Sequence, residues 1–271
     1  MYITLNKNNL TKYIYIFIFL LLISFILIYL INYIDSKITN NNNIDINTNI
    51  NNTTSPQINK QANNLSIQTS SILTSNKTII LDAGHGFPDG GATSNDGNII
   101  ESTLNLEIVF KLQKLLELSN INVILTRSDE NGIYKETAET IREKKVSDME
   151  NRVQISKDFP ADLFISIHMN KLENTSVKGF QVFYSKKDSL SKDCAKYIQD
   201  NLNLSITEFK NTKQIKEVPD IYLSKNLELH FILIECGFLS NTYETSLLQD
   251  ESYQEKIAWG IYSGIMDFLK S

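Results

Sequence analysis

Cysteine is scarce in this chain: Cys194 and Cys236 are the only two among 271 residues. Two thiols are too few for a disulfide framework or for a cysteine-built zinc site. A single bridge stays open, but two unpaired thiols packed as small hydrophobes is the plainer expectation. Any long basic block is missing too, and the formal net charge is −5. The chain therefore has no electrostatic footprint for a phosphate backbone, which excludes nucleic acid as a partner. Only three histidines occur, His85, His168 and His230, and no internal repeat is present. The plentiful Ile, Asn and Lys are a compositional habit and carry no chemistry.

What is present divides into three segments. Residues 13–34, YIYIFIFLLLISFILIYLINYI, form an uncharged apolar run long enough to cross a bilayer as a helix, which takes roughly 20 residues. No small-residue cleavage site follows Ile34, so the run reads as a transmembrane anchor rather than a removed leader. Lys7 and Lys12 precede it, while Asp35 and Lys37 nearly cancel after it. The positive-inside bias then puts residues 1–12 in the cytoplasm and everything after residue 35 outside. Residues 35–76 are rich in Asn, Thr, Ser and Gln without a sustained period, the signature of a flexible tether that gives a folded domain reach.

Residues 77–271 alternate short β-branched runs with helical patterns, which predicts an α/β domain. Thr78 to Asp82, Asn122 to Thr126, Asp162 to Ile167, Gly179 to Tyr184 and Phe231 to Glu235 read as strands. Leu104, Ile108, Leu112, Leu115 and Leu116 make one face of a helix. Further helices are expected over about 137–157, 189–203 and 253–269. The strands are near-continuous apolar runs, which suits a mainly parallel sheet covered on both faces, an α/β/α sandwich.

Four residues stand at or beyond the ends of these elements, where open α/β sheets place their ligands: His85, Glu101, His168 and Glu235. His85 follows a strand in L-D-A-G-H-G, whose glycines allow a sharp turn, and His168 ends I-S-I-H-M-N. Taken singly, each has a bland role. Glu101 alone is a favourable acid for a first helical turn. An acid after F-I-L-I, as Glu235 is, is costly to bury without a partner, a metal or water. Taken together, two imidazoles and a carboxylate suit a catalytic zinc that keeps its fourth position for water.

The motifs L-D-A-G-H-G, then Glu101, then S-I-H-M-N, then I-E-C-G-F-L-S-N resemble, in order, spacing and flanks, the zinc-dependent N-acetylmuramoyl-L-alanine amidase family, over residues 77–271. The resemblance implies one zinc per chain held by His85, Glu101 and His168, with Glu235 as catalytic acid/base. It also implies a single α/β/α domain on a six-stranded sheet and peptidoglycan as substrate. T-R-S-D through M-E-N-R, A-D-L-F-I-S-I-H-M-N and G-F-Q-V-F-Y are similar to the membrane-anchored branch that acts on the spore cortex. That branch implies peptide removal on the way to muramic-δ-lactam, a site facing the space between the forespore membranes, and room for a membrane-associated lipoprotein partner. A zinc peptidase cutting the stem peptide and a non-catalytic wall-binding scaffold remain as alternatives.

Second-rank expectations follow. Asp82 and Asn170 lie near enough in sequence to orient the imidazoles. Gly90 and Gly91 should form a loop beside the metal, and Arg127 and Arg152 should serve structural ion pairing. His230, at the start of its strand, should have no catalytic role. Cys236, pointing opposite to Glu235, should be an inert core thiol.

Overall fold

The computed structural model describes residues 77–271. The expected anchor at 13–34 and tether at 35–76 lie outside the described residues. Among the described residues no helix is long and apolar enough to cross a membrane.

Six strands build one sheet: β1 (Thr78–Ala83), β2 (Asn122–Leu125), β3 (Leu163–Asn170), β4 (Gln181–Tyr184), β5 (Lys216–Glu217) and β6 (His230–Phe238). Their order is β2-β1-β3-β6-β4-β5. Neighbours are parallel except β4, which runs antiparallel to β6. The helices are α1 (Glu101–Leu118), α2 (Ile141–Asp158), α3 (Ser189–Ser205), α4 (Tyr222–Asn226), α5 (Thr242–Leu248) and α6 (Glu251–Lys270).

The expected strands all form, yet three details differ. The helix expected from residue 137 starts at Ile141, because Thr140 and Glu143 form a reciprocal capping box there. β3 and β6 run past His168 and Glu235, so these two residues sit inside strands rather than at their ends. The two-residue β5 and the short α4 and α5 are additions that no sustained pattern announces.

Strand register explains the two faces. On one, Ile79, Leu81, Ile165, Ile167, Ile232 and Ile234 pack under α1, α3 and α6 in the main core. On the other, Ile80, Phe164, Phe231 and Leu233 form a smaller apolar cluster with Val153 of α2 and Leu223 of α4. Because side chains alternate along a strand, this smaller face turns polar towards the strands' carboxyl ends. Ile80 is followed by Asp82, Phe164 by Ser166 and His168, and Leu233 by Glu235. Both thiols are free and buried in the main core. Burial pushes the Cys236 thiol well up, so it behaves as the inert packing residue expected.

The polar transition is carried by Asp82 and Arg152, both fully buried. Arg152 pairs through Nη1 with Asp82 and through Nε with Asp148 at 2.6 Å. Asp82 also accepts from the Thr126 and Ser166 hydroxyls at 2.7 and 2.6 Å. Burial alone would raise the Asp82 carboxyl. Arg152, then Ser166, His168 and Thr126, outweigh it and hold the group below the ordinary carboxylate range.

Removing the cation strands two buried carboxylates, so Arg152→Met is expected to lose about 3–5 kcal/mol of stability at neutral pH. A carboxyl whose folded pKa is depressed contributes stability above its unfolded value and loses it as pH falls through the folded one. The difference between wild type and Arg152→Met should therefore narrow below about pH 4, measured by denaturant unfolding across pH. A gap independent of pH would contradict this account.

Candidate metal centre

β1 ends at Ala83, and the chain turns at once. The sharp turn expected at Gly84 and Gly86 forms, with Gly86 at φ 144°, and His85 itself adopts φ 62°, in the left-handed region. Histidine tolerates that region better than most residues but still at a cost. Hydrogen bonds hold the backbone there. Gly84 N–H donates to Ile167 O at 3.0 Å, tying the turn to β3. Arg152 Nη2 donates to His85 O at 2.6 Å, and Arg127 Nε donates to Ala83 O at 2.9 Å. Arg127 also donates to the carbonyls of Gly84, Ser102 and Asp129. Arg152 thus forms the expected ion pair, whereas Arg127 is a clamp on carbonyl oxygens.

Three side chains converge above this turn. His85 Nε2 lies 3.3 Å from Glu101 Oε1, and His168 Nδ1 lies 2.9 Å from the same oxygen. The ring centroids are 4.9 Å apart and nearly perpendicular. The candidate ligand atoms of the trio all fall within 4.8 Å of one another. Glu101 is the first residue of α1 and buried. Its carboxylate is fixed by backbone amides, Ala92 N to Oε2 at 2.7 Å and Met169 N to Oε1 at 3.0 Å.

The orienting groups are not those expected. Asp82 accepts from Arg152, Thr126 and Ser166 and acts on His168 through charge, without a hydrogen bond to it. Asn170 joins the structure through its backbone oxygen, which accepts from Leu239 N. His85 is oriented instead by Asp89, Nδ1 to Oδ2 at 3.1 Å, and Lys145 braces Asp89 at 3.0 Å. The missed signal was a carboxylate four residues past a histidine in a glycine-punctuated loop. His230, as expected, stands apart, bonded to Asp188 at the cap of α3.

Close approach explains two glycines. A Cβ on Gly91 would lie 2.5 Å from Glu101 Oε2 and 2.6 Å from His85 Cδ2; one on Gly84 would lie 2.3 Å from the His168 ring. The loop beside the trio therefore requires Gly91 by contact as well as by its φ of 73°. Gly90 lies next to it in the same loop, against Ile100.

Glu235 is opposite His168 in the β3–β6 register. Its Oε2 is buried with no hydrogen-bond partner among the described residues. Burial lifts this carboxyl to about 7; His168 opposes the lift, Glu101 adds to it, and His85 opposes it. Burial disfavours the charged His85, yet Asp89 and Glu101 outweigh it and raise the ring to about 9. Glu101 is driven the other way, its burial outweighed by the two imidazoles, to well below the carboxylate range. A cavity of about 340 Å³ opens on His85, His168 and Glu235, walled by α2 and α4.

This arrangement passes a simple test for a divalent ion. Zinc bonds of about 2.0–2.2 Å in a tetrahedron put donors roughly 3.3 Å apart; the two contacts to Glu101 Oε1 are 2.9 and 3.3 Å, and the three donor atoms all fall within 4.8 Å of one another, a grouping that one divalent ion can draw on. Two nitrogens and one carboxylate, anchored from behind and hemmed in by Gly84 and Gly91, form a donor set of catalytic type. The partnerless Glu235 oxygen lies outside that set, on the strand paired with His168.

The N-acetylmuramoyl-L-alanine amidase family model matches residues 79–267. The germination-specific N-acetylmuramoyl-L-alanine amidase of Bacillus subtilis is 37% identical over 208 residues, covering 77% of this chain and 86% of that protein. The CwlD amidase of Clostridioides difficile, solved in complex with the GerS lipoprotein, is 46% identical with a TM-score of 0.70, covering 72% of this chain and 99% of that one. The catalytic domain of CwlV from Bacillus (Paenibacillus) polymyxa var. colistinus is 28% identical with a TM-score of 0.61, covering 72% and 98%. A six-stranded, mainly parallel sheet with flanking helices, matched by the family model over residues 79–267, establishes that the chain belongs to the N-acetylmuramoyl-L-alanine amidase family.

Proposed function

We propose that this chain is a zinc-dependent amidase that hydrolyses the bond between the lactyl group of N-acetylmuramic acid and L-alanine in peptidoglycan. The observation that carries the reading is two imidazole nitrogens facing one anchored Glu101 oxygen, with the partnerless Glu235 oxygen on the adjoining strand. When bound, zinc would supply a water acidified to a pKa of about 7 and a Lewis acid for the lactyl carbonyl.

The protein's own part follows from the geometry. His85, Glu101 and His168 would hold the ion, with Asp89 fixing the His85 ring. Glu235 would take the proton of the attacking water and deliver it to the L-alanine nitrogen as the amide breaks. Burial raises the proton affinity of this carboxyl, which suits a group that must accept a proton as well as give one up.

Placement and timing belong to the same proposal. The span at 13–34, the tether at 35–76 and the charges before them support a single-pass anchor, a cytoplasmic N-terminus and an extracytoplasmic domain. Likeness to a germination-specific amidase supports action on spore cortex, with muramic-δ-lactam as the downstream product and the forespore intermembrane space as the setting. A lipoprotein partner is supported by the GerS complex of the CwlD relative.

Incubating the full-length protein with peptidoglycan is expected to release free L-alanine amino termini; cleavage only between amino acids would overturn the amidase reading. Glu235→Gln should keep its zinc while kcat drops about 10²–10⁴-fold, whereas His168→Ala should lose both, as read by metal analysis beside turnover. Equal metal loss in the two variants contradicts these roles. Asp89→Ala should leave the fold intact and weaken zinc affinity about 10–100-fold, measured by competition with a chelator. Unchanged affinity would show that Asp89 does not orient His85.

A further inference from the structure

The cavity over the metal centre holds several charged groups, and its lysine and arginine side chains, with one exception, are answered from within the protein. Arg152 is matched by Asp82 and Asp148. Lys145 is matched by Asp89, which also serves His85. Glu235 lies buried beside the two imidazoles. The exception is Lys144, which lines the same cavity. Its ammonium lies 4.9 Å over the Tyr134 ring and pairs with no carboxylate among the described residues.

Its position runs against helix electrostatics. Lys144 is the fourth residue of α2, whose cap is Thr140. Cations are disfavoured there, because the helix N-terminus carries positive partial charge. Arg142 and Lys145 crowd the same end, and Glu143 is engaged in the capping box. An ammonium held in the cavity wall at this end of α2, with no carboxylate on it among the described residues, is available to an anion arriving from outside. Tyr134, lining the same cavity, steadies the ammonium by its π face and leaves the donor hydrogens free.

We propose that Lys144 is a specificity determinant that reads a carboxylate on the peptide side of the scissile amide. The inference rests on the amidase reading above. N-acetylated sugars are uncharged, and the lactyl carboxyl is consumed in the amide. The free carboxylates of such a substrate therefore lie on the stem, beyond L-alanine. Lys144 acts on binding, not on the reacting atoms.

The test uses two soluble muramyl peptides that differ only after L-alanine, where one carries a free carboxylate and the other the corresponding carboxamide. The full-length zinc-loaded wild type should favour the carboxylate about tenfold in kcat/KM, chiefly through KM, with the preference shrinking as salt rises. Lys144→Met should bring the ratio to near one, losing on the carboxylate and changing less than twofold on the carboxamide, while Lys144→Arg retains a preference. Melting of Lys144→Met at or above the wild-type temperature is expected, since a cation leaves a helix N-terminus. Equal losses on both substrates, or a wild type without preference, would overturn the inference and leave the amidase reading standing. A wild type that releases L-alanine termini from neither substrate also overturns the inference, while the amidase reading is decided separately by its own test on peptidoglycan.

Discussion

The guanidinium of Arg152 is the interaction on which the site's geometry depends. It lies between two carboxylates, Asp82 and Asp148, and also donates to the carbonyls of Ala83 and His85. One fully buried cation thereby couples α2, β1 and the turn that presents His85. A charge taken out of water is tolerable only when its donors are satisfied and its charge is answered, and here both conditions are met by groups that define the turn. The helix is held in place by the same bonds that hold the imidazole's backbone in its left-handed conformation. Any change that frees the guanidinium would be felt at His85 before it reached the rest of the sheet.

That arrangement clarifies why the chemistry sits on the thinner face. The main core under α1, α3 and α6 is closed by large apolar side chains along the whole strand length. On the opposite face the apolar cluster is short and ends at Phe164, Phe231 and Leu233, and the next residues along the strands are polar. Burying apolar surface contributes about 25 cal/mol per Å², so the thick layer can supply most of the stability while the thin one accepts costly polar groups. α2 and α4 cover only the lower part of that face and also wall the cavity above it.

Much of this was legible in the sequence, and the rest was hidden for identifiable reasons. The β-branched runs gave every strand but β5, whose Lys216 and Glu217 are both exposed and follow no alternation. The antiparallel direction of β4 was not readable, because so short a run as Gln181–Tyr184 looks the same in either sense. His168 and Glu235 could be singled out because titratable residues on apolar strands are costly unless used, His85 by its glycine-flanked turn and Glu101 by its place opening a helix, and the fold brings them together. Asp89 escaped notice because loop residues have no period against which an acid stands out. Asp82 misled by proximity: three residues from His85 in sequence, it is held by Arg152 and two hydroxyls beneath the turn instead.

Glu101 shows how one residue reconciles two demands. Its place at the start of α1 is also the place where a carboxylate is stabilised by the helix dipole, so the bland reading and the metal-centre geometry coincide. The amides of Ala92 and Met169 add donors from two other stretches of chain. The anion is thus defined before any ligand arrives, and the two imidazoles meet a fixed charge. Glu235 is in the opposite condition, with burial but no donor on Oε2, so its proton affinity is raised where that of Glu101 is lowered. Two glutamates on neighbouring elements are thus driven apart in acidity by their surroundings, the pattern expected where one carboxylate stays charged and another exchanges a proton.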